Sequence, residues 1–282
     1  AAITRGELEW PLDRLPAVPS YELSGVVAAV ADDVVTVAAG DEVFALTPFD
    51  RDGVAAEYAA VPAATLAPKP ATLSHVESAA VPLPALSAWQ GLFVHGDLEA
   101  GERVLVLGAV GGVGQFATQL ARWRGAYAVA AASPDAFDAA RALGAHEVVD
   151  GRRRLDEVGP VDLVFDTVGG ELLERATALL GSDGRLVSIA EDPPREGTYF
   201  VVEPNREQLI ELARLMDTRQ VRVAIDSTFA LSDSEESNGY TLMCRAMPEE
   251  DLVIELLHFD PDNYRLENPI RDRATSQIDL PA

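Results

Sequence analysis

Residues 103–124 read RVLVLGAVGGVGQFATQLARWR, an apolar strand that runs into a glycine cluster and at once into a helix. The run Val104 to Leu107 has no polar break, so it belongs in the middle of a sheet covered on both faces. Val113, Phe116, Ala117, Leu120 and Ala121 then recur at helical spacing. Between the two lie Gly108, Ala109, Gly111, Gly112 and Gly114. A helix N-terminus and a turn of bare backbone amides thus converge, which is where a pyrophosphate binds. Gly111 lets phosphate oxygens come close, and Gly114 lets the helix pack tightly on the strand. A glycine pattern alone is weak evidence; a strand before it, a helix after it and further strands downstream make it strong.

Those further strands follow at regular intervals: AYAVAAA, HEVVD, VDLVFD (161–166) and GRLVSIA (184–190). Helical stretches separate them. Ser133 and Pro134 form an N-cap and first helical position before DAFDAARALGA, ELLERATALL is a second helix, and REQLIELARLMD is a third. Strand and helix in alternation specify a doubly wound parallel sheet. Upstream, residues 1 to about 62 carry short β segments, GVVAAVA, VVTVAAG, DEVFAL and AAEYAAV, punctuated by Gly, Asp and Pro. Between the two parts, Ser74 and Glu77 make a capping box ahead of a helical stretch expected to break near Pro82 and Pro84. The expected organisation is a β domain over residues 1–84, a dinucleotide-binding domain over 85–231, and a different, acidic tail over 232–282.

Charge narrows the partners. Asp and Glu number 46 against 22 Lys and Arg, a net charge of -24, which repels nucleic acid and anionic lipid surfaces. No apolar run reaches the ~20 residues of a membrane span, and AAITRGELEW lacks a signal-peptide pattern, so the expectation is a cytoplasmic protein acting on a small molecule. The one cysteine, Cys244, excludes an intramolecular disulfide and a four-cysteine zinc site, and the four histidines are scattered; no metal site is expected.

An acidic residue at the tip of the second strand would bond the ribose 2'-hydroxyl of NAD. Here the strand ends at Ala132 and Ser133, with no acid at the tip. That neutral tip leaves room for a 2'-phosphate and favours NADP(H), although no Lys or Arg follows closely and Asp135 stands nearby.

The pieces RLPAVPSYELSGVVAAV, GDEVFAL, LSHVESAAVPLPALSAWQGLF, GERVLVLGAVGGVGQFATQLAR, ALGAHEVVD, DLVFDTVGG, GRLVSIA and FVVEPNREQLIELARLM occur in this order from about residue 4 to 232. In order and spacing they resemble the medium-chain dehydrogenase/reductase superfamily, in its zinc-independent, quinone oxidoreductase-like branch. The resemblance implies an α/β fold class: a Rossmann doubly wound parallel sheet plus a truncated GroES-like β domain. It implies that Gly108, Ala109, Gly111, Gly112, Val113 and Gly114 hold the pyrophosphate and that Ser133 lies near the adenosine ribose. Val168 and Gly169, then Ser188, Ile189 and Ala190, then Phe200, Val201 and Val202, would line the nicotinamide pocket. Ser87 stands where the family often has Thr close to the nicotinamide. Tyr21 stands where a zinc enzyme needs His, and is read either as a proton donor to a nascent enolate or as a packed aromatic. Glu22 beside it reads as a structural or hydrogen-bonding residue.

Members of this branch begin with strands and an Asn-Pro motif ahead of the position of Arg5 and Gly6, and end with a return to the catalytic domain; neither feature is found in this sequence, so a truncated β domain is expected. The stretch GYTLMCRAMPEEDLVIE instead resembles the end of a plant-type [2Fe-2S] ferredoxin domain of an oxygenase reductase, with Cys244 at its last ligand position. The other three ligands are missing, so no cluster is expected. The functional expectation is an NADPH-dependent reductase of quinones or enones, a homodimer through the edge of the cofactor sheet. The alternative is a nucleotide-binding relic or scaffold without turnover.

Overall fold

In the computed structural model the described residues are 18, 20–56, 58–194 and 196–225. The tail with Cys244, and Arg5 and Gly6 with the residues around them, lie outside them.

The chain first builds a small antiparallel sheet from β1 (Glu22–Val26), β2 (Glu42–Leu46) and β3 (Ala67–Pro68). Two segments with strand-like composition, VVTVAAG and AAEYAAV, form no strand among the described residues. Val34 and Val37 pack instead on Val43, Ala45 and Leu66 as irregular chain, so apolar content there serves burial without ladder pairing. Then come α1 (His75–Ala79) and α2 (Pro82–Trp89). The Ser74–Glu77 capping box is present at α1. The break falls at Ala80 and Val81, and Pro84 interrupts nothing. Pro82 and Pro84 both sit in the first turn of α2, where a helix has no use for their missing N–H groups. A π-helical segment, Gln90–His95, follows directly. Gly91 lies against the Phe165 ring, where an added Cβ would come within 2.2 Å of it.

The larger sheet has six strands in the order β6-β5-β4-β7-β8-β9, all parallel. They are β4 (Arg103–Leu107), β5 (Tyr127–Ala132), β6 (Glu147–Asp150), β7 (Val161–Asp166), β8 (Leu180–Ser188) and β9 (Thr198–Tyr199). Between and after them run α3 (Gly112–Arg124), α4 (Phe137–Ala142), α5 (Gly170–Thr177) and α6 (Arg206–Asp217). β9 was not expected, and it is too short to announce itself by pattern. The expected cap at Ser133 is also different: a single 3₁₀ turn, Pro134–Ala136, precedes α4, and the Ser133 side chain caps no backbone N–H.

Alternation along β4 divides the core. Val104 and Val106 join Phe116, Leu120, Leu209 and Leu212 on one face, while Leu105 and Leu107 join Val164, Leu173 and Ala176 on the other. The small sheet leans on the first of these clusters through Phe44, Leu46 and Ala67. The strand order reverses between β4 and β7, and in such sheets the ligand crevice opens at that point, beyond the carboxyl ends of the strands. No helix among the described residues is long and apolar enough to cross a membrane.

Candidate active site

β4 delivers the chain into Gly108, whose φ of 72° is left-handed. A side chain there would also strike Thr167 Oγ1 at 2.5 Å. The Ala109 N–H is taken by the Ala131 carbonyl, and the Gly111 N–H by the Gly108 carbonyl, which closes the turn. Gly111 then caps α3 without a side chain, so nothing from the cap covers the first-turn amides of Gly112, Val113 and Gly114. A Cβ on Gly114 would stand 1.9 Å from the Gly108 carbonyl oxygen, so helix and strand approach as closely as glycine permits. Open amides at the N-terminus of a thirteen-residue helix, behind a turn that has no room for a side chain at Gly108, fit a pyrophosphate.

Next to this cradle, the turns after β7 and β8 are tied into one unit. Asp166, sealed from solvent, accepts the amides of Val168 and Gly169 at 2.9 and 3.0 Å on Oδ1 and the Ser188 hydroxyl at 2.6 Å on Oδ2. Ser188 Oγ in turn accepts the amides of Ala190 and Glu191, at 3.1 and 3.3 Å. Glu191 reaches back to the Gly170 amide at 2.8 Å. Gly169 sits at φ 79° and ψ -168°, a conformation open essentially to glycine alone. The sequence motifs around Val168, Gly169, Ser188, Ile189 and Ala190 therefore belong to one hydrogen-bonded rim at the strand ends.

The third wall, Phe200 to Val202, follows β9. Phe200 and Val202 are buried and Val201 is exposed. The π-helical segment holds this wall at both ends: the His95 ring lies 4.3 Å from the Phe200 ring, and Gln90 pairs with the backbone of Glu203. Gln90 Nε2 donates to the Glu203 carbonyl at 2.8 Å and its Oε1 accepts the Glu203 amide at 3.0 Å. Sequence reasoning missed Gln90 and Asp166. A buried polar residue at a strand end was a usable signal for Asp166, whereas Gln90 pairs across 113 residues and gave none.

On the small sheet, Tyr21 is half-buried with its ring edge-on to Phe49, 4.9 Å between centroids. Both rings pack against the cluster that contains Phe200 and Val202. Glu22 accepts the Leu83 amide at 2.8 Å, capping the start of α2 from outside that helix. Burial pushes its carboxyl up to about 7, against the smaller downward pull of that hydrogen bond. Ser87, buried on α2, donates to the Leu83 carbonyl at 2.8 Å. Ser133 lies half-buried at the tip of β5, where its hydroxyl holds the neighbouring Asp135 carboxyl below its ordinary range.

A six-stranded parallel sheet with an uncapped helix behind a glycine turn, joined to a small antiparallel sheet, is the architecture of a two-part dehydrogenase. Residues 2–71 match the alcohol dehydrogenase GroES-like domain family, and residues 112–221 match the zinc-binding dehydrogenase family. An alcohol dehydrogenase superfamily protein from Novosphingobium aromaticivorans superposes with a TM-score of 0.73 at 31% identity, over 81% of this chain and 78% of that one. The quinone oxidoreductase of Coxiella burnetii gives a TM-score of 0.71 at 29% identity, over 76% of this chain and 72% of that one. The chloroplastic NADPH-dependent alkenal/one oxidoreductase of Arabidopsis thaliana is 34% identical over 222 residues, 75% of this chain and 57% of the relative. The chain belongs to the medium-chain dehydrogenase/reductase superfamily, and quinone oxidoreductases are among its structural neighbours. It spans 57%, 56%, 42% and 8% of the length of four of the curated relatives it matches, and 80% of a fifth.

Proposed function

We propose that this chain is an NADPH-dependent oxidoreductase that passes hydride to a quinone or to the β-carbon of an enone, without a metal. The observation that carries the reading is the junction of the open α3 amides with the Asp166–Ser188 rim at the reversal of strand order. Gly112, Val113 and Gly114 would bind the pyrophosphate, and Ser133 would lie beside the adenosine ribose. When bound, the reduced nicotinamide supplies the hydride.

The chain itself supplies position and polarity. Val168, Gly169, Ser188, Ile189 and Ala190 form one face of the pocket and Phe200, Val201 and Val202 another, both rigid enough to hold the reacting carbons in line. The Tyr21 hydroxyl stabilises the oxyanion that develops on the substrate, because the rim amides of Val168, Gly169, Gly170, Ile189, Ala190 and Glu191 already donate to Asp166, Ser188 and Glu191. Ser87 spends its hydroxyl on the Leu83 carbonyl and serves by shaping α2. Tyr21 at the place of a metal-binding histidine supports metal-free chemistry. β9, paired only to β8 among the described strands, gives the edge through which a homodimer forms. The alkenal/one specificity in the name of the Arabidopsis relative supports the substrate class. Nothing in the charge invites nucleic acid, and a cytoplasmic setting suits the cofactor.

The test is a fluorescence titration of the purified protein with NADPH and NADH, followed by addition of a quinone and a simple enone. Tight NADPH binding with substrate-dependent oxidation is expected. Binding without turnover would establish a cofactor-binding relic instead, and no binding would overturn the assignment of the glycine cradle.

A further inference from the structure

The tip of β5 carries no cation of its own, since Ala132 and Ser133 are followed by Pro134 and the exposed, anionic Asp135. A 2'-phosphate placed there meets a protein of net charge -24, so its binding needs a local positive group. One place in the sequence has three consecutive basic residues, Arg152, Arg153 and Arg154, and it lies about twenty residues beyond that tip.

The sheet removes this separation. β6 pairs parallel with β5, with Asp150 opposite Ala132, so the arginine turn leaves the sheet alongside the last residue of β5. The Gly151 amide donates to the Ala132 carbonyl at 3.4 Å. Asp150 Oδ1 accepts the amides of Arg152 and Arg153 at 3.0 and 3.2 Å, and Arg175 donates to the carbonyls of Gly151 and Arg152 at 3.4 and 2.8 Å. The turn is therefore held from both sides. Two of the nearby guanidiniums are already engaged: Arg154 grips Glu157 through Nε at 2.9 Å and a second nitrogen at 2.5 Å, and Arg175 pairs with Asp156 at 3.2 Å. Arg153 is exposed and makes no ion pair among the described residues.

We propose that Arg153 is the residue that binds the 2'-phosphate of NADPH, reaching the adenosine ribose from the turn after β6. This rests on the NADPH reading above and names the group that sets its preference. A guanidinium matches phosphate oxygens with two parallel hydrogen bonds, and a fixed turn presents it at little entropic cost. Selection between NADPH and NADH thus comes from the turn after β6, the third strand of this sheet in chain order and its edge in space, and not from the tip of β5.

The test is calorimetric titration of the full chain with 2',5'-ADP, 5'-ADP, NADPH and NADH, in the parent and in Arg153→Ala, Arg153→Lys and Arg154→Ala. Arg153→Ala is expected to weaken 2',5'-ADP and NADPH by about tenfold while 5'-ADP and NADH stay within about twofold, with partial recovery in Arg153→Lys. A parent that prefers NADPH while Arg153→Ala loses nothing overturns the inference and leaves the NADPH reading standing. Equal losses in Arg153→Ala and Arg154→Ala also overturn it, since a diffuse field would then be the cause. A parent that binds NADH as well as NADPH overturns the NADPH reading and the inference together.

Discussion

In the six-stranded sheet, Val104, Leu105, Val106 and Leu107 are all sealed from solvent, shared between two apolar clusters. In β1 of the three-stranded sheet, Glu22 to Gly25 stay half-buried and Val26 is 58% exposed. The first region makes its own core, with helices on both faces. The second depends on what it touches: Glu22 caps α2, Arg206 on α6 donates to the Leu66 carbonyl at 2.7 Å, and Asp217 accepts the amide and hydroxyl of Thr72 at 2.9 and 3.0 Å. Stability and precision are therefore concentrated where the glycine turn and the Asp166–Ser188 rim lie. The region that carries Tyr21 is held to them by Phe44, Leu46 and Ala67 in the shared cluster and by a few polar ties.

The difference is open to direct challenge. Phe165→Ala removes a fully buried ring at the centre of the large sheet and should cost about 4 kcal/mol in urea unfolding, against about 2 kcal/mol for Leu66→Ala in the small one. Equal costs would break the contrast. Gly114→Ala forces a Cβ into the Gly108 carbonyl and should cost about 3 kcal/mol, with loss of NADPH binding in the titration. Retained binding would mean the α3 amides are not the cradle.

Glu22 sharpens the comparison through pH. The folded carboxyl keeps its proton up to about 7 and the unfolded one releases it near 4.5, so between these values the folded chain binds more protons and stability falls as pH rises, levelling above 7. Glu22→Gln keeps an acceptor for the Leu83 amide and removes that slope. The full shift is worth about 3 kcal/mol, and partial solvent access brings the expected gain above pH 7 to about 2 kcal/mol. A parent whose urea stability is flat from pH 4.5 to 7 would count against a buried, proton-holding Glu22. The smallest effect belongs to Asp217→Ala, about 0.5 to 1 kcal/mol for exposed hydrogen bonds. It should appear as faster amide exchange at Thr72 with little change in global unfolding.

Much of the large sheet was legible because continuous apolar strands and helical stripes need no tertiary information to be recognised. The packing role of Gly114 was also legible, since a tight helix approach requires glycine there; the left-handed turn at Gly108 was not read individually. The small sheet was harder. VVTVAAG and AAEYAAV have strand-like composition, but strand formation depends on a partner strand, and none pairs with them among the described residues. Pro84 misled because a proline breaks a helix in its interior and not in its first turn.

The sequence by itself determined the parallel sheet and the glycine turn, along with the family that both imply, because these rest on local periodicity and on residues whose backbone freedom is their function. Only the tertiary structure decided which distant groups meet. Gln90 finds Glu203 and Asp166 finds Ser188 because strand order, which no local pattern encodes, sets them side by side. The same register places Asp150 opposite Ala132 and so carries the arginine turn to the tip of β5, an adjacency fixed by hydrogen bonds between strands and not by distance along the chain.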